Sequence, residues 1–305
     1  MATATEVQSL NDIQYKSKIK VLIFIMIAFM LFVLAFLNFY PIGDKIKSVI
    51  KSSFNGRGCN PDFDEIHMEW MLPKIVVTNL VIPASCLERP GEPLRFTHLT
   101  MNYHIINLAP IGLPFRIDTS FEGQAISVYY VLGFNSQMIR LKDQTLNLGK
   151  LQPLLGPGFK LAGNVTVDLN LSMSKNVINN MDLKAQAKNL SVPAQDLGGY
   201  PIPTLKLNDF FLETTSDTYP RIKIEKLILG DTEAPVRANL KGKIDIVAGN
   251  TGMSPLDLNG EIAITEEAGQ KLAVLNFLLQ SFSQKDGFYQ VRLGGTLGSP
   301  KPILP

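Results

Sequence analysis

The chain has 305 residues, 46% apolar and 18% charged, with 29 lysines and arginines against 27 aspartates and glutamates. A net charge of +2 is too small for a nucleic-acid surface, and two cysteines with three histidines make a poor inventory for metal chemistry. The length suits one large domain or two ordinary ones.

Residues 1–15 are polar and aperiodic, a loose tail. Val21–Tyr40, VLIFIMIAFMLFVLAFLNFY, carries no charge, and fourteen of its residues are Leu, Ile, Phe or Val. Twenty residues at ~1.5 Å rise span about 30 Å, the thickness of a bilayer core. A signal peptide would have a shorter apolar run and small residues at its cleavage site. This run ends LNFYPIGD, so the pattern predicts an uncleaved anchor over 19–40. Lys16, Lys18 and Lys20 before it balance Lys45, Lys47 and Lys51 after it, which leaves orientation to other signals. Cys59 and Cys86 show no Cys-x-x-Cys or Cys/His ligand spacing. A lone pair in a large extramembrane region fits one disulfide in an oxidising compartment; two unrelated buried thiols are the alternative. On the first reading residues 1–18 are cytoplasmic and 41–305 lie across the membrane.

Within 41–56, Ile46, Val49, Ile50 and Phe54 fall at helical spacing, with lysines elsewhere. This predicts a short juxtamembrane amphipathic helix, resting on headgroups or packed on the following domain. From 57 to the C-terminus the pattern is strand. Expected strands are 74–82, 99–107, 125–134, 163–174, 181–190, 204–215, 221–229, 236–248, 256–265 and 288–297, separated by Pro, Gly, Asn and Asp clusters. The strands at 163–174 and 181–190 read as a hairpin with KNVINN as its turn. One later segment, 266–283, reads as a single amphipathic helix: Thr265 is a plausible N-cap, and Leu272, Leu275, Leu278, Leu279 and Phe282 form its stripe. Many strands and few helices exclude βαβ units. The fold class is therefore mainly β: one N-terminal transmembrane helix, then a large, curled antiparallel sheet with the two amphipathic helices.

The segment LAGNVTVDLNLSM (161–173) alternates from Val165 onward: Val165, Val167, Leu169, Leu171 and Met173 are apolar, with polar residues between. These five line either a protein core or a lipid groove. The opening returns as LKGKIDI at Leu240, LNGEIAI at Leu258 and LGGTL at Leu293, at spacings too uneven for a solenoid. Gly163, Gly242, Gly260 and Gly295 then either permit a bend in the sheet or admit a close backbone.

No nucleophile elbow, Walker loop or dinucleotide fingerprint is present. His98 and His104 lie about 20 Å apart along a strand. Asp62, Asp64, Glu65 and Glu69 lack the spacing of a calcium loop. The expectation is no enzyme, no cofactor and no metal.

The order of features carries a resemblance. An anchor is followed by IGDKIKSVIKSSFNGRG, then MEWMLPKIVVTNLVIP, then strands opening L-x-G-x-I-x-I, and finally YQVRLGGTLGSPKPIL. This resembles the AsmA-like proteins of Gram-negative envelopes and, more narrowly, the N-component family of type II secretion. The Gly-Thr-x-Trp-x-Gly phrase of the better-known N components is missing. The resemblance implies an inner-membrane, single-pass protein with a periplasmic β-rich domain. It would serve as an accessory of a type II secretion system, acting by contacts with other secretion-system proteins. The alternative implied by the wider superfamily is a module that binds or transfers phospholipid or another envelope lipid. Partners are then the membrane, secretion proteins or lipid, and no nucleic acid.

Overall fold

The structure, a computed structural model, describes residues 26–32, 48, 60–69, 74–87, 93–103, 112–133, 135–152, 160–174, 177–197, 200–247 and 250–303. Residues 26–32 are helical, and their large apolar side chains are 52–67% exposed. Seven helical residues measure about 10 Å, a third of a bilayer core. No helix among the described residues is long and apolar enough to cross a membrane, so the expected transmembrane helix is not supported there. The remainder of 19–40 and nearly all of 41–56 lie outside the described residues.

The strands are β1 (Glu65–Glu69), β2 (Lys74–Ile82), β3 (Leu94–Tyr103), β4 (Gly112–Phe121), β5 (Gln124–Gly133), β6 (Ser136–Asn147), β7 (Ala162–Ser174), β8 (Val177–Val192), β9 (Gln195–Leu197), β10 (Tyr200–Ile202), β11 (Leu205–Thr218), β12 (Arg221–Leu229), β13 (Val236–Asp245), β14 (Leu256–Ile264), β15 (Gln284–Lys285), β16 (Phe288–Thr296) and β17 (Ser299–Pro302). Fifteen of them form one antiparallel sheet in nearly sequential order, β1 through β8, then β11 to β14 and β16. β15 and β17 share the outer side of β16, and β9–β10 is a separate hairpin. The sheet is open, with β1 at one edge and β15 and β17 at the other.

Besides the short strands β1, β9, β10, β15 and β17, two long strands went unread in the sequence. β4 contains Pro114 and the polar run Arg116–Ser120 apart from Ile117, and β6 loses its alternation at a bulge, where Asp143 has φ 48°. The hairpin β7–β8 is tighter than expected. Ser174 pairs with Val177, so Val177–Asn180 belong to the strand rather than the turn.

The predicted single helix is instead two, α1 (Glu266–Lys271) and α2 (Ala273–Leu279), broken at Leu272 with φ −113° and ψ 55°. Thr265 caps α1 by accepting from the Ala268 N–H at 3.3 Å, and Glu267 pairs with Lys271 at 2.6 Å. The break lets α2 fold back so that Asn276 packs on Gly269, where a Cβ would lie 3.3 Å from it. Leu279 and Phe282 are buried on the sheet, but Leu278 of the expected stripe is 40% exposed.

The strand ends sort into two. At the helix end lie Ile82, Phe121, Asn147, Val192, Leu229 and Ile264, and α1 starts there. At the far end lie Lys74, Gly112, Gly133, Ser174, Asp245 and Thr296.

Bends come mainly from bulges. Register shifts occur at Asp143, Asn189 and Asn208, all with positive φ, where Asn and Asp are the tolerant residue types. Gly163 sits at the β7–β8 shift, as a bending glycine should. Gly242 and Gly260 have a different reason. Their ladder has no register shift; Leu240 stands opposite Gly260 and Gly242 opposite Leu258. The two L-x-G units therefore interlock head to tail, each leucine beside the other's glycine. Both glycines have φ 153°, and a Cβ on either would run into a carbonyl oxygen across the ladder, of Asp257 or Asn239.

Candidate functional site

Cross-strand partners share a face, so the registers define what each side of the sheet presents. One row runs Tyr103, Phe115, Tyr130, Ile139, Leu171, Met181 across β3 to β8 and ends on Ser216. The next runs Leu141, Leu169, Leu183, Thr214, Ile224, Gly242, Leu258, Leu293 from β6 to β16. A third runs Val165, Ala187, Phe210, Leu229, Ala238, Ile262, Tyr289. One face is thus apolar almost without interruption from the third strand to the sixteenth.

Its cover is uneven. Toward the helix end Leu146, Val165, Ala185, Ala187, Leu190, Val192, Leu207 and Val236 form a packed core, with Leu272 between the helices against it. A second core joins Ile224, Ala238, Leu240, Leu256, Leu258 and Val291 to Leu279 and Phe282. The six apolar residues of the Tyr103-to-Met181 row belong to neither core and are only half-buried. Within that row the rings meet in sequence: Tyr103 meets Phe115 edge-on at 5.8 Å, and Phe115 stacks on Tyr130 at 6.5 Å between centroids.

All five residues picked from the alternating segment lie on this face, and the boundary passes through them. Val165 is buried between Leu146 and Ala187, and Val167 packs at the core margin. Leu169, between Leu141 and Leu183, Leu171, between Ile139 and Met181, and Met173 are half-buried and outside both cores. Strict alternation told which face they share; it carried no signal for where the cover stops, which depends on helices 100 residues later. Cys86, in the 3-10 turn Ala84–Leu87, is disulfide-bonded. Cys59, the other cysteine of the chain, lies outside the described residues, as do Trp70 and His104.

At the border between the two regions sit two buried polar residues, Thr214 and Ser216. The Ser216 hydroxyl donates to the Arg221 carbonyl at 2.6 Å, whereas the Thr214 hydroxyl has no hydrogen-bond partner. The sequence ETTSDT hid them, because its alternation does not show which of its threonines faces inward.

The opposite face is mostly polar, with Val131, Phe211 and Ile228 among its apolar members. Lys184–Glu213, Arg221–Asp245 and Arg292–Asp257 pair across strands at 2.8, 2.8 and 3.1 Å. On the outer side of β3 to β5, Asp118 accepts from Ser127, from Arg116 Nε at 3.0 Å and from Asn102 at 3.4 Å. Burial alone would push this carboxyl up; those donors outweigh it and hold it below its ordinary value. His98 Nε2 contacts the Thr100 hydroxyl at 2.6 Å. Asp118 is turned to Ser127, Arg116 and Asn102 rather than to His98, so these groups do not assemble the nucleophile, base and orienting acid of a hydrolytic relay. Among the described residues no three His, Cys, Asp or Glu side chains converge as metal ligands, the acidic residues of 62–69 included.

What the arrangement offers chemically is a strip of aromatic and aliphatic side chains, half open to water, on which an apolar ligand can lie. Comparison with known proteins gives no match: no family model, no curated protein and no solved structure is similar to this chain.

Proposed function

We propose that the uncovered part of the apolar face holds the acyl chains of an envelope lipid. The observation that carries this is the row Tyr103, Phe115, Tyr130, Ile139, Leu171, Met181: six neighbouring strands present apolar side chains that belong to neither core among the described residues. Soluble proteins rarely leave contiguous apolar patches beyond a few hundred Å² in water. An open sheet with two free edges does not close over itself, so a flexible apolar ligand is a natural filling. Full-length protein extracted in mild detergent should carry phospholipid detectable by mass spectrometry. Recovery of folded protein with no lipid defeats the reading.

The sequence resemblance supports a second reading, an inner-membrane-anchored periplasmic accessory of type II secretion that acts by protein contacts. The open edges at β1 and at β15 and β17 favour it, since their unpaired backbone groups can receive a partner strand. Gene neighbours encoding a secretin and a secretion ATPase would support it. Both readings place 41–305 in the periplasm, with the uncharged Val21–Tyr40 stretch as the anchor. A phosphatase reporter fused after Pro305 is then active in cells, and an inactive phosphatase with an active cytoplasmic reporter overturns the topology.

A further inference from the structure

Among the described residues outside 26–32, nine large apolar side chains are exposed, and six of them, Leu113, Leu132, Val177, Val247, Met253 and Leu297, sit at the far end of the sheet. The other three are Phe277 and Leu278 on α2 and Ile303 after β17. They come from separate turns and strand ends, and no local sequence pattern groups them. The helix end is the reverse. Its described turns expose Glu122, Lys150, Glu233 and Asp286, and none of the exposed large apolar residues of the described strands lies there.

Part of this rim is built rather than loose. Ser254 is fully buried: its hydroxyl accepts the Val247 N–H at 3.0 Å, and its carbonyl accepts the Leu297 N–H at 2.8 Å. Gly298 N–H donates to the Gly252 carbonyl at 2.8 Å. One buried serine thus locks three turns together and holds Val247, Met253 and Leu297 side by side. At the other side of the sheet, Leu113 and Leu132 are direct cross-strand partners and form the rung beyond Phe115 and Tyr130. The rim there is continuous with the uncovered apolar face. Two acidic groups near it are paired: Glu69 with Lys74, and Asp245 with Arg221.

We infer that the far end of the sheet is a docking rim that dips into a lipid surface. The composition favours lipid over protein. Protein hot spots are rich in Trp, Tyr and Arg and poor in Leu and Val, and they need a contiguous, matched patch. Six aliphatic or thioether side chains spread over ten strands at about 4.8 Å spacing suit a fluid that moulds to each of them. The N-terminal residues join the sheet nearer the other end, where Asp62 bridges Val81, so the rim points away from the start of the domain. The inference extends the acyl-chain reading, because a rim continuous with the apolar face would let lipid pass between that face and a bilayer without crossing polar surface.

The test uses the full-length chain in amphipol with the Cys86 disulfide intact. An environment-sensitive fluorophore is placed through Asn250→Cys, beside Met253, or through Glu233→Cys at the opposite end. Zwitterionic phosphatidylcholine vesicles are then added. The probe at 250 should shift to the blue with a several-fold intensity rise, and the probe at 233 should not respond. Adding Val247→Ser, Met253→Ser and Leu297→Ser to the Asn250→Cys protein should abolish the rise while its circular dichroism and its co-purified lipid stay unchanged. No response at 250, equal responses at both sites, or a response that survives the triple change overturns the rim. A probe at 250 that responds to protein concentration instead of vesicles assigns the rim to a protein contact and also overturns it. Protein without co-purified lipid that still responds at 250 keeps the rim and removes the cargo.

Discussion

The stretch from β3 to β8 and the stretch from β11 to β16 present the same kind of apolar face, yet the first is covered only toward its helix end, while α2 roofs the second. In the roofed part, Leu279 and Phe282 from α2 and its following turn close over Leu240, Leu258 and Val291. In the open part, Tyr130, Ile139, Leu171 and Met181 meet their cross-strand neighbours and nothing described above them. Alternation dictates a face; only another layer turns a face into a core. Strand β7 crosses the boundary, which makes it the place to break the comparison.

The largest effect is expected at Val165. Val165→Asp places a carboxylate among Leu146, Ala187 and the rest of the helix-end core with no partner, at a cost of several kcal/mol. That approaches the whole stability of an ordinary domain, so the variant should fail to fold or melt far below the parent. Leu169→Asp, four residues along the same strand, leaves its carboxylate where water can reach it. It should melt near the parent and lose bound lipid. If both variants unfold alike, the open region is a closed core and the distinction between the regions collapses.

Gly260 tests the roofed side alone. Gly260→Ala forces a Cβ against the Asn239 carbonyl at a φ that L residues rarely adopt, for about 2–4 kcal/mol measured by denaturant melts. Gly163→Ala should cost less, since its Cβ would stand 2.9 Å from the Asn189 oxygen beside a bulge that can relax. Equal costs would mean that the interlocked L-x-G pair has no special closeness.

Much of this was legible in the sequence and some was not, for physical reasons. The bounds of β2 and β12 follow from their β-branched runs between turn residues, and the shared face of Val165 to Met173 follows from strict period two. The equal Leu-to-Gly offset at 240 and 258 was a readable sign of reciprocal pairing, once the two strands are adjacent and antiparallel. The break at Leu272 was not readable, because Leu272 continues the helical stripe and the chain turns there to place Asn276 on Gly269. The far-end rim was not readable either. Leu113, Val177 and Leu297 are distant in sequence and meet only through the order of the strands.

Thr214 stands where roofed and open regions meet, and its effect should have the opposite sign. Its hydroxyl is buried between Leu183 and Ile224 without a partner, so Thr214→Val replaces an unsatisfied group by a methyl of the same shape. A stabilisation of about 1 kcal/mol is expected in thermal melts. A destabilised Thr214→Val protein would mean that the hydroxyl is satisfied by a bound water or ligand, and that the border is polar by use.

The smallest effect concerns the outer face of the open region. Asp118 is held below its ordinary value, so the stabilisation it gives is fully present above about pH 4, the unfolded value. It is lost as pH falls through the lower folded value, where protonation removes the charge that Arg116, Ser127 and Asn102 address. The carboxylate is 35% exposed and screened by water, so the contribution is under about 1 kcal/mol. Asp118→Asn should therefore lower the melting temperature slightly at neutral pH and not at all near pH 2, so that the two curves converge on acidification. A constant gap between parent and variant across that range would mean that geometry, not charge, is what Asp118 supplies to the sheet, and that the polar side of the open region is held by neutral hydrogen bonds alone.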